Sequence, residues 1–178
     1  MNILKHIAFL ILILIAGYAK AQSLPTDPET KKITYQEAIT LEGISKSDLF
    51  ERAKNWMTET YKTNKFDLEN ATEGKVQHEG YFTIMLTYDF KYKTEYDVLY
   101  NLTMQVKDGK YRYIITDFKI YNSKNGRKTA EGLEGYYAKA RTSNKPEIVN
   151  QVTAELNKLT TELKTAMETG KQKDKSDW

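Results

Sequence analysis

From Lys32 onward apolar residues recur at every second position, with Ile33, Tyr35, Ile39 and Leu41 on one parity and Lys32, Thr34, Gln36 and Thr40 on the other. A period of two predicts a half-buried strand, because successive side chains of an extended chain point to opposite faces. Glu37 breaks the apolar parity, which predicts an edge position or a bulge. Gly43 stops the strand and the spacing then changes: Leu49, Ala53, Trp56, Met57, Thr60 and Tyr61 share one helical face, predicting a helix over Lys46–Tyr61. Ser45 stands at its N-cap with Asp48 three residues on, a weaker form of the capping box, and Ile44 and Leu49 are spaced for a hydrophobic staple.

Alternation returns over Phe66–Asn70 and Lys75–Tyr92, around a turn containing Gly74. Phe82, Ile84, Leu86, Tyr88, Phe90 and Tyr92 form the predicted core face of the second strand, and Tyr81, Thr83, Met85, Thr87, Asp89 and Lys91 the other face. Two further alternating runs, Tyr96–Lys107 and Lys110–Asn122, flank Asp108-Gly109, a dipeptide that predicts a two-residue type I′ hairpin because both central residues then need positive φ. The turn sets the register: Lys107 faces Lys110, and Val106/Tyr111, Met104/Tyr113 and Leu102/Ile115 pair on one face. Beyond Ile115 the same parity yields Asp117 and Lys119 while Phe118 and Ile120 change sides. That predicts a bulge near Ile115 and Thr116, or a sheet covered on both faces.

Residues 123–144 have no steady period. A loop of that length is functional or docked by its own apolar side chains, here Leu133, Tyr136 and Tyr137. Pro146 then suits a first helical turn, and Val149, Val152, Leu156, Leu159, Leu163 and Ala166 recur at spacings of three and four up to Gly170. A coiled-coil seam of under three heptads is marginal alone, so this helix is expected to lie on the sheet of its own domain. The fold class is therefore α+β, a curved antiparallel sheet in the order β-α-β-β-β-β-α with the long C-terminal helix packed on it.

The ends of the chain read differently. Lys5 and His6, the apolar run from Ile7 to Gly17 and Ala19-Lys20-Ala21 have the order of a secretory signal peptide, with cleavage expected between Ala21 and Gln22. The run is short of the roughly 20 residues that span a bilayer, so no stable membrane span is expected after cleavage. Residues 22–31, with Pro25 and Pro28, read as a flexible leader, residues 32–170 as one domain and residues 171–178 as a polar tail. The expected address is the periplasm or the cell exterior.

Charge and composition then remove whole classes of chemistry. Of 27 basic side chains, Lys5 and Lys20 lie in the leader peptide, leaving 25 against 24 acids, a net charge of +1 that attracts no nucleic acid. The chain has no cysteine, so no thiolate nucleophile, cysteine metal site or disulfide is available. His78 is the only histidine after His6 and lies next to Glu79 at the start of a strand, where a surface position is expected; there is no nucleotide-binding glycine run and no hydrolase or zinc motif. No catalytic residue, metal ligand or cofactor is assigned. Acid pairs such as Glu69/Glu73 and Asp89/Glu95 offer carboxylate hydrolysis of an envelope polymer as the alternative function. Asn70-Ala71-Thr72 and Asn101-Leu102-Thr103 match the glycosylation acceptor pattern, which is uninformative if the source is bacterial, and Asn101 falls mid-strand.

Candidate binding residues fall in two surfaces. Tyr81, Met85, Thr103 and Arg112 lie opposite the predicted core, where an ordinary sheet surface is the plainer reading. Arg127, Lys128, Tyr136, Tyr137, Lys139 and Arg141 form a basic and aromatic loop, diluted by Glu131 and Glu134. The expected partner is an envelope protein or a glycan, bound without catalysis; the pattern sets no oligomeric state.

The stretch Gly43-Ile44-Ser45-Lys46-Ser47-Asp48-Leu49-Phe50-Glu51-Arg52-Ala53-Lys54-Asn55-Trp56, then Gly74-Lys75-Val76, Gly80, Lys107-Asp108-Gly109-Lys110-Tyr111-Arg112-Tyr113 and Thr116-Asp117-Phe118, resembles the domain of unknown function 4468 family of exported bacterial proteins. The resemblance spans Ile33 to Ile120 and implies a TATA-box-binding-protein-like fold and an exported location. It implies no site residue, and the fold name carries no DNA binding, since fold alone does not assign function.

Overall fold

Residues 23–88 and 92–170 are described here from a computed structural model. The expected signal peptide, its cleavage point and the polar tail, as well as Asp89, Phe90 and Lys91, lie outside the described residues. Among the described residues no helix is long and apolar enough to cross a membrane.

The elements are β1 (Tyr35–Thr40), α1 (Lys46–Tyr61), β2 (Leu68–Asn70), β3 (Lys75–Tyr88), β4 (Tyr92–Lys107), β5 (Lys110–Asn122), a 3-10 turn (Arg127–Thr129), β6 (Glu131–Gly132), α2 (Leu133–Lys139) and α3 (Lys145–Thr169). All pairings are antiparallel, in the order β1-β5-β4-β3-β2, with β6 pairing β5 beyond the end of β1. The architecture is the expected α+β fold, with β6 and α2 added in the stretch that had no period.

Helix α1 has the bounds that its apolar spacing predicts. Ser45 Oγ accepts the Asp48 N–H at 3.1 Å. A further free N–H of the first turn is satisfied from another element: Asp108, in the β4–β5 turn, accepts the Lys46 N–H at 2.8 Å. This clasp bears on the turn itself. The register is as expected, with Lys107 opposite Lys110 and Val106 opposite Tyr111. Among the described residues, however, positive φ falls on Gly109 and not on Asp108, so the turn is not type I′. Asp108 is held to the helix end, while Gly109 donates to the Ile44 carbonyl and accepts from the Leu41 N–H.

The predicted change of side on β5 is a bulge. Leu99 pairs with Lys119 but Asn101 with Thr116, so Asp117 and Phe118 stand opposite Tyr100 alone. The extra residue sits slightly beyond the predicted place, at Asp117, whose φ is 56°. It restores Phe118 and Ile120 to the core alongside Tyr111, Tyr113 and Ile115.

One cluster of apolar side chains lies between this sheet face and the helices, with Trp56, Ile84, Leu102, Val152 and Leu163 buried in it. Helix α3 crosses α1 and β3, as its spacing predicts, and Gly170 ends it in the left-handed region. Arg52 of α1 donates to the Met167 and Glu168 carbonyls, placing a cation at the negative end of α3.

Several expectations fail. Tyr92 does not continue the core face of β3; it opens β4 and is exposed. The stretch read as a flexible leader is docked from Leu24 on: Leu24 is buried, Thr26 bridges Ile33, and Asp27 closes a turn with Thr30. His78 is not a surface histidine. It belongs to the core-facing parity of β3, with its ring 4.9 Å from Tyr61 and 6.0 Å from Phe66, and its Nδ1 3.6 Å from Asp67. Glu37 does occupy an edge strand, where it accepts the Tyr113 hydroxyl at 2.8 Å and pairs with Lys164.

Candidate functional site

With α1, α2 and α3 all against the core face, the opposite face of the sheet carries no helix. Strand register places its side chains in rows. Tyr81, Leu99 and Lys119 form one row across β3, β4 and β5, and Glu79, Asn101 and Thr116 the next. Much of the face is polar and internally bonded: Thr103 donates to Gln77 at 3.2 Å, Thr83 to Asp97 at 2.8 Å, and Arg112 to Gln105 through Nε at 3.1 Å.

The bulge breaks this surface. At Asp117 the chain rises towards the edge where residues 30–34 and β6 lie, and the 3-10 turn folds over Leu99 from the other side. Between them is a cleft of about 400 Å³, within the range of small-ligand sites, roughly 300–1,000 Å³. Lys32, Asp117, Lys119, Arg127 and Glu134 line it over an apolar floor at Leu99 and Ala130.

Four of these five charges have a partner. Lys32 pairs with Asp117, which also accepts from Asn101 Nδ2 at 3.4 Å. Arg127 donates to Glu79 across the face, and Glu134 accepts the Ile33 N–H at 2.8 Å. The Lys32 ammonium holds the Asp117 carboxyl below its usual range, and Asp117 in turn raises Lys32. Asp117 is therefore an ionised acceptor at neutral pH, the opposite of a general acid.

The six candidate binding residues separate into three places. Tyr81, 67% exposed, neighbours Leu99 in the cleft floor; Met85 lies further along the same strand and face, and Arg127 roofs the cleft. Arg112 lies at the far end of the face, near the β4–β5 turn. Tyr136 and Tyr137 are on the helix side. Tyr136 packs on Tyr96 with centroids 5.6 Å apart beside a second cavity of about 260 Å³, and its hydroxyl is pushed up by burial and by the Tyr96 contact. Tyr137 lies under the Lys145 ammonium. The loop reading thus splits: its aromatics dock, and only Arg127 reaches the open face.

Lys32, Lys119 and Glu134 carry no motif, and Asp117 stands only in the Thr116-Asp117-Phe118 stretch of the resemblance, which assigns it no role. The signal pointing to them was the parity break after Ile115, which marked where the sheet is interrupted but not which side chains gather there.

Residues 35–121 match the family described as a domain of unknown function (DUF4468) with TBP-like fold. Over this segment the chain is similar to DUF4468 domains. The matched span agrees with the Ile33–Ile120 resemblance and runs from β1 through the end of β5, so it includes the bulge, Asp117 and Lys119, but not Arg127 or Glu134. Two crystal structures are similar to it. A DUF4468 family protein from Bacteroides ovatus aligns with a TM-score of 0.62 at 13% identity, over 84% of this chain and 92% of that one. A TBP-like protein from Parabacteroides distasonis aligns with a TM-score of 0.63 at 18% identity, over 82% and 97%. At such identities the likeness is one of fold, and it covers more of the chain than the matched segment. No curated protein matches the sequence.

Proposed function

We propose that the protein is an exported envelope domain that binds a partner or a glycan on the helix-free face of its sheet, without catalysis. The observation that carries this reading is the row Tyr81, Leu99 and Lys119: an exposed aromatic ring next to a polar cleft on a face that carries no α-helix, where the 3-10 turn covers Leu99 but leaves Tyr81 open. Aromatic side chains with one apolar face and one polar tip are favoured at recognition surfaces. Binding is favoured over carboxylate hydrolysis because Asp117, Glu79 and Glu134 are each held by a cation or a backbone N–H, and Asp117 is biased towards its charged form. Export rests on the n-region, apolar run and Ala19-Lys20-Ala21 of the first residues.

Quantitative capture from an envelope extract tests the binding reading. Tyr81→Ser and Met85→Ser are expected to abolish what the wild-type protein retains, whereas Lys158→Ser, on the exposed side of α3, is expected to leave it unchanged. Equal retention by all variants, or loss with the helix variant alone, would contradict it. Mass spectrometry of the protein recovered from the envelope fraction tests export. A chain starting at Gln22 is expected, and an intact Met1 in the cytosol would contradict it.

A further inference from the structure

We infer that the cleft at the β5 bulge is a subsite for an uncharged saccharide; this rests on the binding reading above and names the ligand class of the same face. Charge balance comes first. Lys32, Lys119 and Arg127 in the lining are balanced by Asp117 and Glu134 there and by Glu79 just outside it, which Arg127 grips, so the cleft together with that partner has no net charge. An anionic polymer would have to displace carboxylates from Lys32 and Arg127, with Lys119 alone otherwise open to it, and a cation would meet three basic groups. A neutral ligand meets neither cost, since desolvating an uncompensated charge is expensive.

The hydrogen-bonding capacity left over is of two kinds, in close alternation. A carboxylate accepts at about four positions, and Asp117 uses its two oxygens on Lys32 and Asn101; a guanidinium has five N–H groups, and Arg127 donates to Glu79. Vicinal hydroxyls, each donor and acceptor at once, match such a row of paired acids and bases. A partner with only donors or only acceptors does not.

The remaining features suit the ring of a sugar. Ala130 and the small exposed part of Leu99 give the cleft an apolar patch, and the exposed ring of Tyr81, the next side chain in the row, offers a flat surface for the C–H face of a sugar. The site is also fixed in place. Asp117 is held in the left-handed region by the bulge, with its carboxylate tied to Lys32 on one side and Asn101 on the other. A group pre-oriented in this way loses little freedom on binding.

Amide chemical-shift titration of the ¹⁵N-labelled protein with maltohexaose, cellohexaose and tri-N-acetylchitotriose tests the inference, with a heparin hexasaccharide as anionic control. At least one neutral sugar is expected to shift the Leu99, Lys119, Arg127 and Gly132 amides in the millimolar range or below. Lys119→Gln and Arg127→Gln are expected to weaken that binding by about tenfold, as loss of a charged hydrogen bond predicts, with unchanged urea midpoints. Three outcomes overturn it: no neutral sugar shifts these amides, shifts fall elsewhere on the protein, or heparin binds more tightly and is released by salt. The capture experiment with Tyr81→Ser is independent of the sugar titration. Retention lost in Tyr81→Ser with no sugar response would leave the binding face standing and remove only the saccharide.

Discussion

Gln151 on α3 pairs with Met85 as another strand would: the Met85 N–H donates to Oε1 at 2.8 Å and Nε2 donates to the Met85 carbonyl at 2.6 Å. Glu147 accepts the Thr87 N–H at 2.9 Å and Asn144 donates to its carbonyl, while Asp67 accepts the Glu79 N–H at 2.7 Å. The outer edge of β3 beyond β2 is thus partly closed by side chains rather than by a seventh strand, a protection that open edges need against pairing with other chains.

Gln151→Leu removes both bonds and leaves the Met85 backbone groups facing an apolar side chain. A loss of about 1–2 kcal/mol is expected in urea unfolding, since each such bond contributes roughly 0.5–1.5 kcal/mol. Self-association that rises with concentration is expected in size-exclusion chromatography with light scattering. Unchanged stability together with a strictly monodisperse profile would contradict this role for α3.

Gly80 makes room for two tyrosines. A Cβ at that position would lie 2.5 Å from the Tyr100 ring and hydroxyl and 2.7 Å from Tyr61, whose hydroxyls are 3.2 Å apart. Gly80→Ala is expected to cost about 1–3 kcal/mol by overpacking, and a Gly80→Ala/Tyr100→Leu double variant is expected to lose less than the two single changes together. Additivity of the two in chemical denaturation would count against direct contact.

How much of this was legible in the sequence depended on whether one element or several decided the outcome. Helix α1, the long α3 and the β4–β5 register each follow from a local period or a turn dipeptide, and they stand where the pattern placed them. Asp108 did not, because its φ is set by the clasp on Lys46, a contact across 62 residues. Leu24 and His78 were misread for the same reason: their burial comes from partners distant in sequence or from a strand face that their neighbours alone do not define. The cleft lies between. The parity change after Ile115 located the bulge, but Lys32 reaches it from the segment before β1 and Arg127 from the turn after β5.

The bulge constrains what position 117 tolerates. With φ at 56°, a glycine is comfortable and a β-branched residue is not. Asp117→Val is expected to cost about 1–3 kcal/mol in thermal or urea unfolding and Asp117→Gly less than Asp117→Val. The reverse order would mean that the residue is not held in the left-handed region.

Alkaline pH should unfold the protein through its tyrosines. Burial, followed by the charge of Glu155, raises the Tyr100 hydroxyl to about 12 against the opposing hydrogen bond from Tyr61, and burial with Glu37 raises Tyr113 to about 12. A phenol whose folded value exceeds its unfolded value near 10 contributes stability that is full below pH 10 and is lost as pH rises towards 12. For Tyr100 two units correspond to about 2–3 kcal/mol. Urea midpoints are expected to fall steeply between pH 10 and 12, with Tyr100→Phe reducing that fall; a flat profile over this window would contradict the burial of these hydroxyls.

The central claim, that the helix-free face is the binding surface, is tested most directly by a photo-crosslinking amino acid placed at position 81 in one variant and at position 59, exposed on α1, in another. The account predicts ligand adducts in the envelope from position 81 and none from position 59. Adducts from position 59 alone would place the partner on the helices and contradict it.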